Sequence, residues 1–128
     1  MMIRNMIRLL AVLATFASYL GCSTAVPISQ LPLKLVLESY KPSGDISSKR
    51  GIDAADPVYQ KLANLIAQDS GGWVRSVTSY KTGPFILRGD GVIVRCYTNL
   101  LIVDILADGK SVSYRKDIPQ LLNVLGLT

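Results

Sequence analysis

The chain of 128 residues contains no histidine. That removes the commonest general base and the commonest metal ligand together. Ser-His-Asp and Cys-His arrangements and histidine-bound zinc are thereby excluded. Glutamate occurs once, at Glu38, so chemistry resting on paired carboxylates must draw on aspartate. Cysteine occurs twice, at Cys22 and Cys96. Cys96 sits in the apolar run VIVRCY and reads as a buried small hydrophobe rather than a reactive thiol. The single tryptophan, Trp73, follows Gly71-Gly72 and reads as packing against the preceding helix. There is no internal repeat, no low-complexity tract and no block of like charge. No residue pattern implies a metal or a cofactor.

What is present begins with Met1 to Cys22, MMIRNMIRLLAVLATFASYLGC. Arg4 and Arg8 precede a twelve-residue apolar run from Leu9 to Leu20, and small residues follow. This is the anatomy of a secretory signal. The run falls short of the about 20 residues that cross ~30 Å of hydrocarbon as a straight helix. Ending on Gly21-Cys22, it resembles the signal of bacterial lipoproteins. The resemblance covers residues 1–22 only, and Tyr19 and Leu20 depart from the leucine and small residue that the family pattern prefers. It implies removal of residues 1–21 and acylation of Cys22. Ser23 after the cysteine implies the outer membrane, on its periplasmic side, and an anchor of more than one acyl chain holds stably. The alternative is cleavage after Ala25, giving a soluble periplasmic product. With Cys22 acylated, Cys96 stands alone and the domain has no internal disulfide despite an oxidising compartment.

From Cys22 onward the chain holds seven lysines and five arginines against eight aspartates and one glutamate, a balance of +3. The charge is spread along the chain. It suits an anionic lipid surface or an acidic partner only weakly and gives no nucleic-acid argument. The 107 residues suffice for one domain. Residues 22–32, with two prolines, read as the lipidated cysteine and a short tether, and residues 33–128 as the domain.

Leu33–Tyr40 alternates apolar and polar positions and reads as a strand. Residues 41–55, KPSGDISSKRGIDAA, read as a long polar loop, with Lys41, Lys49 and Arg50 as candidate contact residues. Asp56-Pro57 is a helix start, with Asp56 free to cap and proline harmless at the first position. Val58, Leu62, Leu65 and Ile66 recur at helical spacing, predicting an amphipathic helix over about 57–70 that Gly71-Gly72 ends. Five further strands follow: Trp73–Tyr80, Phe85–Arg88, Val92–Thr98, Leu100–Ala107 and Lys110–Lys116. A short helix over about 119–125 closes the chain. The fold class is α+β: a mainly antiparallel sheet of five to six strands with helices on one face.

Asp108-Gly109 is the preferred dipeptide of a two-residue hairpin. With Thr98-Asn99 as the preceding loop, strand alternation sorts the last three long strands into two faces. One carries Val92, Val94, Cys96, Leu101, Val103, Ile105, Val112 and Tyr114 and must be the core face. The other carries Arg95, Tyr97, Asp104, Ser113 and Arg115 among apolar neighbours. On this register Ser113 lies opposite Asp104 and Arg95 is its diagonal neighbour. An aspartate inside LLIVDILA needs a partner if it is shielded from water. Arg95 or Arg115 could simply neutralise it. Alternatively these five residues form a polar patch offered to a protein partner, with the Arg and Tyr enrichment of interface cores.

The reading that joins anchor, domain size and missing catalytic residue types is a non-catalytic, lipid-anchored envelope protein acting by protein binding or envelope assembly. One alternative is an immunity-type inhibitor of a periplasmic toxin or enzyme. Another is a hydrolase pairing Glu38 with Asp104, since glycosidase carboxylates stand about 5–10 Å apart. The anchor is directly testable. Cys22→Ala should abolish incorporation of a labelled palmitate analogue and processing before position 22. An unchanged product cleaved after Ala25 would overturn the lipoprotein reading.

Overall fold

Asp108 and Gly109 take positive φ angles of 52° and 73°, the backbone that a two-residue hairpin turn matched to strand twist requires. This turn sets Ala107 opposite Lys110 and joins β6 (Leu100–Ala107) to β7 (Lys110–Asp117). The computed structural model describes residues 31–68, 72–76 and 80–127. The expected signal, Cys22 and most of the tether lie outside the described residues, as do residues 69–70 at the end of the predicted helix and Gly71 of its glycine stop. Among the described residues no helix is long and apolar enough to cross a membrane.

The remaining elements are β1 (Lys34–Tyr40), β2 (Ile46–Asp53), α1 (Pro57–Gln68), β3 (Val74–Ser76), β4 (Phe85–Gly89), β5 (Val92–Cys96) and α2 (Leu121–Leu125). All seven strands form one open antiparallel sheet in the order β2-β1-β4-β5-β6-β7-β3. The described residues thus form a small α+β domain built mainly from an antiparallel sheet with two helices. α1 connects β2 at one edge to β3 at the other, so the helix must cross the sheet.

Both helices lie on one face. Val58, Tyr59 and Leu62 of α1 and Leu121 and Leu125 of α2 share a core with Leu35, Leu37, Leu87, Val94, Cys96, Leu101 and Val103. These strand residues are register partners or two apart, as a face of a pleated sheet requires. Trp73 is 2% exposed within the same core. Leu31, at the end of the expected tether, is buried there as well, and its carbonyl accepts the Tyr59 hydroxyl at 3.1 Å. Cys96 is fully buried, and that burial pushes its thiol up to about 12. Asp56 caps α1 by accepting the Val58 amide at 2.9 Å.

Two expectations are corrected. The polar stretch 41–55 is not a long loop: residues 46–53 are β2, which raises the strand count to seven. β2 is the outer strand and only Ile52 is buried, so neither face imposes an apolar alternation on its sequence. Its pairing with β1 and the turn at Lys41–Asp45 hold it, not strand propensity. The second correction concerns Trp73–Tyr80: Val74–Ser76 is strand, Trp73 and Tyr80 are not, and residues 77–79 lie outside the described residues. Tyr80 has left the sheet's plane of pairing and stands over the helix-free face.

Candidate functional site

The helix-free face can be read off the register as two central rows. One row runs Lys49, Glu38, Ile86, Arg95, Ile102, Arg115 and Val74 across β2-β1-β4-β5-β6-β7-β3. The adjacent row runs Gly51, Val36, Arg88, Ile93, Asp104, Ser113 and Ser76. Although no helix of the described residues covers this face, Glu38 and Asp104 are each only 3% exposed, and Ile86 and Ile102 are as buried as the core.

Part of the cover is the segment 80–84. Tyr80 tilts against Tyr97 with ring centroids 6.1 Å apart, and Arg115 Nη1 donates to the Tyr80 hydroxyl at 3.0 Å. The Tyr97 hydroxyl donates to the Lys81 carbonyl. Gly83 lies so close that a Cβ there would sit 2.9 Å from the Cys96 carbonyl oxygen. Only glycine permits that approach. Tyr97 is half-buried beneath the segment, and burial raises its phenol above the usual range, partly offset by the neighbouring Arg95 charge.

Each buried carboxylate has a fixed partner. Arg95 Nη2 lies 2.8 Å from Asp104 Oδ2, and the Ser113 hydroxyl donates to Oδ1 of the same carboxylate. Arg88 Nε donates to Glu38 Oε1, the Tyr40 hydroxyl donates to the same oxygen at 3.2 Å, and Lys49 Nζ lies 3.8 Å from Oε2. Burial by itself raises the Glu38 carboxyl. The Arg88 hydrogen bond and charge, with Tyr40 and Lys49, outweigh it and leave Glu38 below the usual glutamate range. The same contact raises the Arg88 guanidinium.

The register expected from the two turns is the one found, and it brings Arg95, Tyr97, Asp104, Ser113 and Arg115 onto one face. Arg95 and Ser113 meet at Asp104, whereas Arg115 reaches Tyr80. The three candidate loop residues do not come together. Lys49 lies on this face and joins Glu38. Arg50 points to the opposite face, where Nη1 binds Asp56 Oδ2 at 2.8 Å and holds that carboxyl below its usual range. Lys41 stays in the β1–β2 turn and borders a separate hollow of about 550 Å³ with Lys81 and Pro84.

Sequence reasoning missed Glu38, Arg88, Tyr80 and Thr82 as members of the face. The Asp90-Gly91 turn sets Gly89 opposite Val92 and so Arg88 opposite Ile93, a signal of the kind already used for β6 and β7. Pairing Glu38 with Asp104 for hydrolysis meets a geometric obstacle. β4 and β5 stand between their strands, and three strand spacings of about 4.8 Å put the carboxylates roughly 14 Å apart. Among the described residues no cluster of cysteine, aspartate and glutamate could hold a metal ion.

No family model matches the chain, and no curated protein or solved structure matches it.

A carboxyl held below its unfolded value near 4.3 stabilises the fold above that pH, and the contribution is lost as pH falls through the native value. Urea midpoints of the wild type should accordingly hold from about pH 6 to 5 and fall below about pH 4. Glu38→Gln should lower the neutral plateau by about 1–3 kcal/mol, the cost of leaving Arg88 unpaired, and flatten the acid slope. An unaltered slope in this variant would show that Glu38 is not held below its unfolded value.

Proposed function

We propose that this chain is a non-catalytic, lipid-anchored protein of the cell envelope that binds a protein partner through the helix-free sheet face. The anchor would be Cys22 in the outer membrane, with the domain on the periplasmic side. The observation that carries the binding reading is the arrangement of the two central rows. Lys49, Arg88, Arg95 and Arg115 stand against only Glu38 and Asp104, over a floor of Ile86, Ile93 and Ile102. A surplus of cations on an apolar, tyrosine-flanked floor is the chemistry of an interface centre, where Arg and Tyr are enriched. Arg95 and Arg88 are held by buried carboxylates, so less side-chain entropy is lost when a partner engages them.

Arg115 is the position at which to test this. Its contact with the Tyr80 hydroxyl is at the exposed surface, and reversing its charge uncovers no buried carboxylate. Crosslinking in intact envelopes should capture a defined partner with the wild type, and Arg115→Glu should lose it while keeping its thermal midpoint. Equal capture by Arg115→Glu, or no defined partner for the wild type, would overturn the reading.

A further inference from the structure

Taken strand by strand across β1, β4, β5 and β6, the charges on this face zigzag between the two rows. Glu38, Arg88, Arg95 and Asp104 follow one another, each diagonal to the next. The outer pairs are opposite in sign and in contact. The inner pair is not: Arg88 and Arg95 are like charges on diagonal positions of paired strands, within reach of long side chains. Each guanidinium is drawn outward by its own buried carboxylate.

The space between them is a hollow. Arg88, Arg95, Ile86, Ile93, Tyr80 and Thr82 line a volume of about 180 Å³. Two isoleucines and two arginines of the sheet line it, with a tyrosine and a threonine from the segment over the sheet. A liquid water occupies about 30 Å³, so the hollow takes a group of a few heavy atoms, well below the 300–1,000 Å³ of ordinary ligand pockets. A guanidinium carries five N–H donors in a planar fork. Arg88 uses Nε on Glu38 and also bonds Tyr40, and Arg95 uses Nη2 on Asp104 and also bonds Tyr97; with five N–H groups each, both keep donors for a further acceptor.

We infer that the hollow between Arg88 and Arg95 is a carboxylate-binding pocket that receives an acidic side chain of the protein partner. A carboxylate there completes the alternation of sign along the zigzag, and its planar pair of oxygens matches the arginine fork. The isoleucine floor takes the side chain's methylenes. The inference deepens the binding reading of this face and rests on it.

The test uses the full chain in detergent micelles, labelled with nitrogen-15, with the arginine Nε–H resonances as the readout. The probe is the peptide acetyl-Ala-Glu-Ala-amide, with its glutamine analogue and inorganic phosphate titrated alongside. The glutamate peptide should shift the Arg88 and Arg95 signals saturably and the glutamine analogue should not. Arg88→Lys keeps a cation beside Glu38 but removes the fork, and should weaken the peptide by about tenfold. Equal shifts from the glutamine analogue, or undiminished binding by Arg88→Lys, would overturn the pocket. Tighter binding of inorganic phosphate than of the peptide would overturn the carboxylate assignment. A partner captured through Arg115 together with a silent peptide titration would fail the pocket alone. Peptide binding with no partner captured would fail the protein-binding reading alone.

Discussion

Glu38 and Asp104 stand on the sheet face that no described helix covers, yet each is as shielded from water as the leucines of the core. A carboxylate so placed is tolerable only with a charged or hydrogen-bonding partner within contact, because an isolated buried charge is far too costly. The partners of both are arginines from neighbouring strands, with Ser113 or Tyr40 and Lys49 filling the remaining acceptor sites. The consequence runs outward. Two long side chains that would otherwise sample many rotamers are each held at one end, and both remain partly exposed. Buried ion pairs are weak contributors to stability when compared with apolar side chains of similar volume. A sheet face that keeps two of them is better explained by what they orient than by what they stabilise.

The two faces solve different problems with the same strands. On one, leucine, valine and Cys96 meet α1 and α2 and leave no described charge in the core cluster. On the other, the isoleucines Ile86 and Ile102 are covered without a helix, in part by Tyr80 and the segment leading to Pro84. That segment is pinned to the sheet by the Tyr97 hydroxyl on the Lys81 carbonyl and by the close approach of Gly83. It brings Tyr80 and Thr82 beside the arginines, although both lie outside the strands. The separation of roles is what allows a domain this small to have a dry core and a charged face on opposite sides of one sheet.

How much of this was legible from the chain follows from how local each determinant is. Asp108-Gly109 and Thr98-Asn99 fix the pairing of β5, β6 and β7, so the meeting of Arg95, Asp104 and Ser113 could be read directly. Asp56-Pro57 and the spacing of Val58 and Leu62 marked α1 for the same reason. β2 could not be read: ISSKRGID lies at the sheet edge with one buried residue, and its strand state is imposed by β1 rather than written in a period. Glu38 reaches Arg88 across fifty residues through the non-local pairing of β1 with β4, which no turn signal announces. The composition of WVRSVTSY predicts strand as far as Tyr80, and tertiary contacts with Tyr97 and Arg115 override that preference.

On this account the buried ion pairs orient the arginines and add little stability beyond what an apolar pair of similar volume would supply. The measurement that tests it most directly is denaturant unfolding of Arg95→Met, Asp104→Leu and the double variant, each also titrated with the glutamate peptide. Arg95→Met strands a buried carboxylate and should cost about 3–5 kcal/mol. The double variant should return to within about 1 kcal/mol of the wild type, since an apolar pair of similar volume replaces a buried ion pair at little cost. It should nevertheless lose the peptide. A double variant as unstable as Arg95→Met, or one that binds the peptide as the wild type does, would contradict the account.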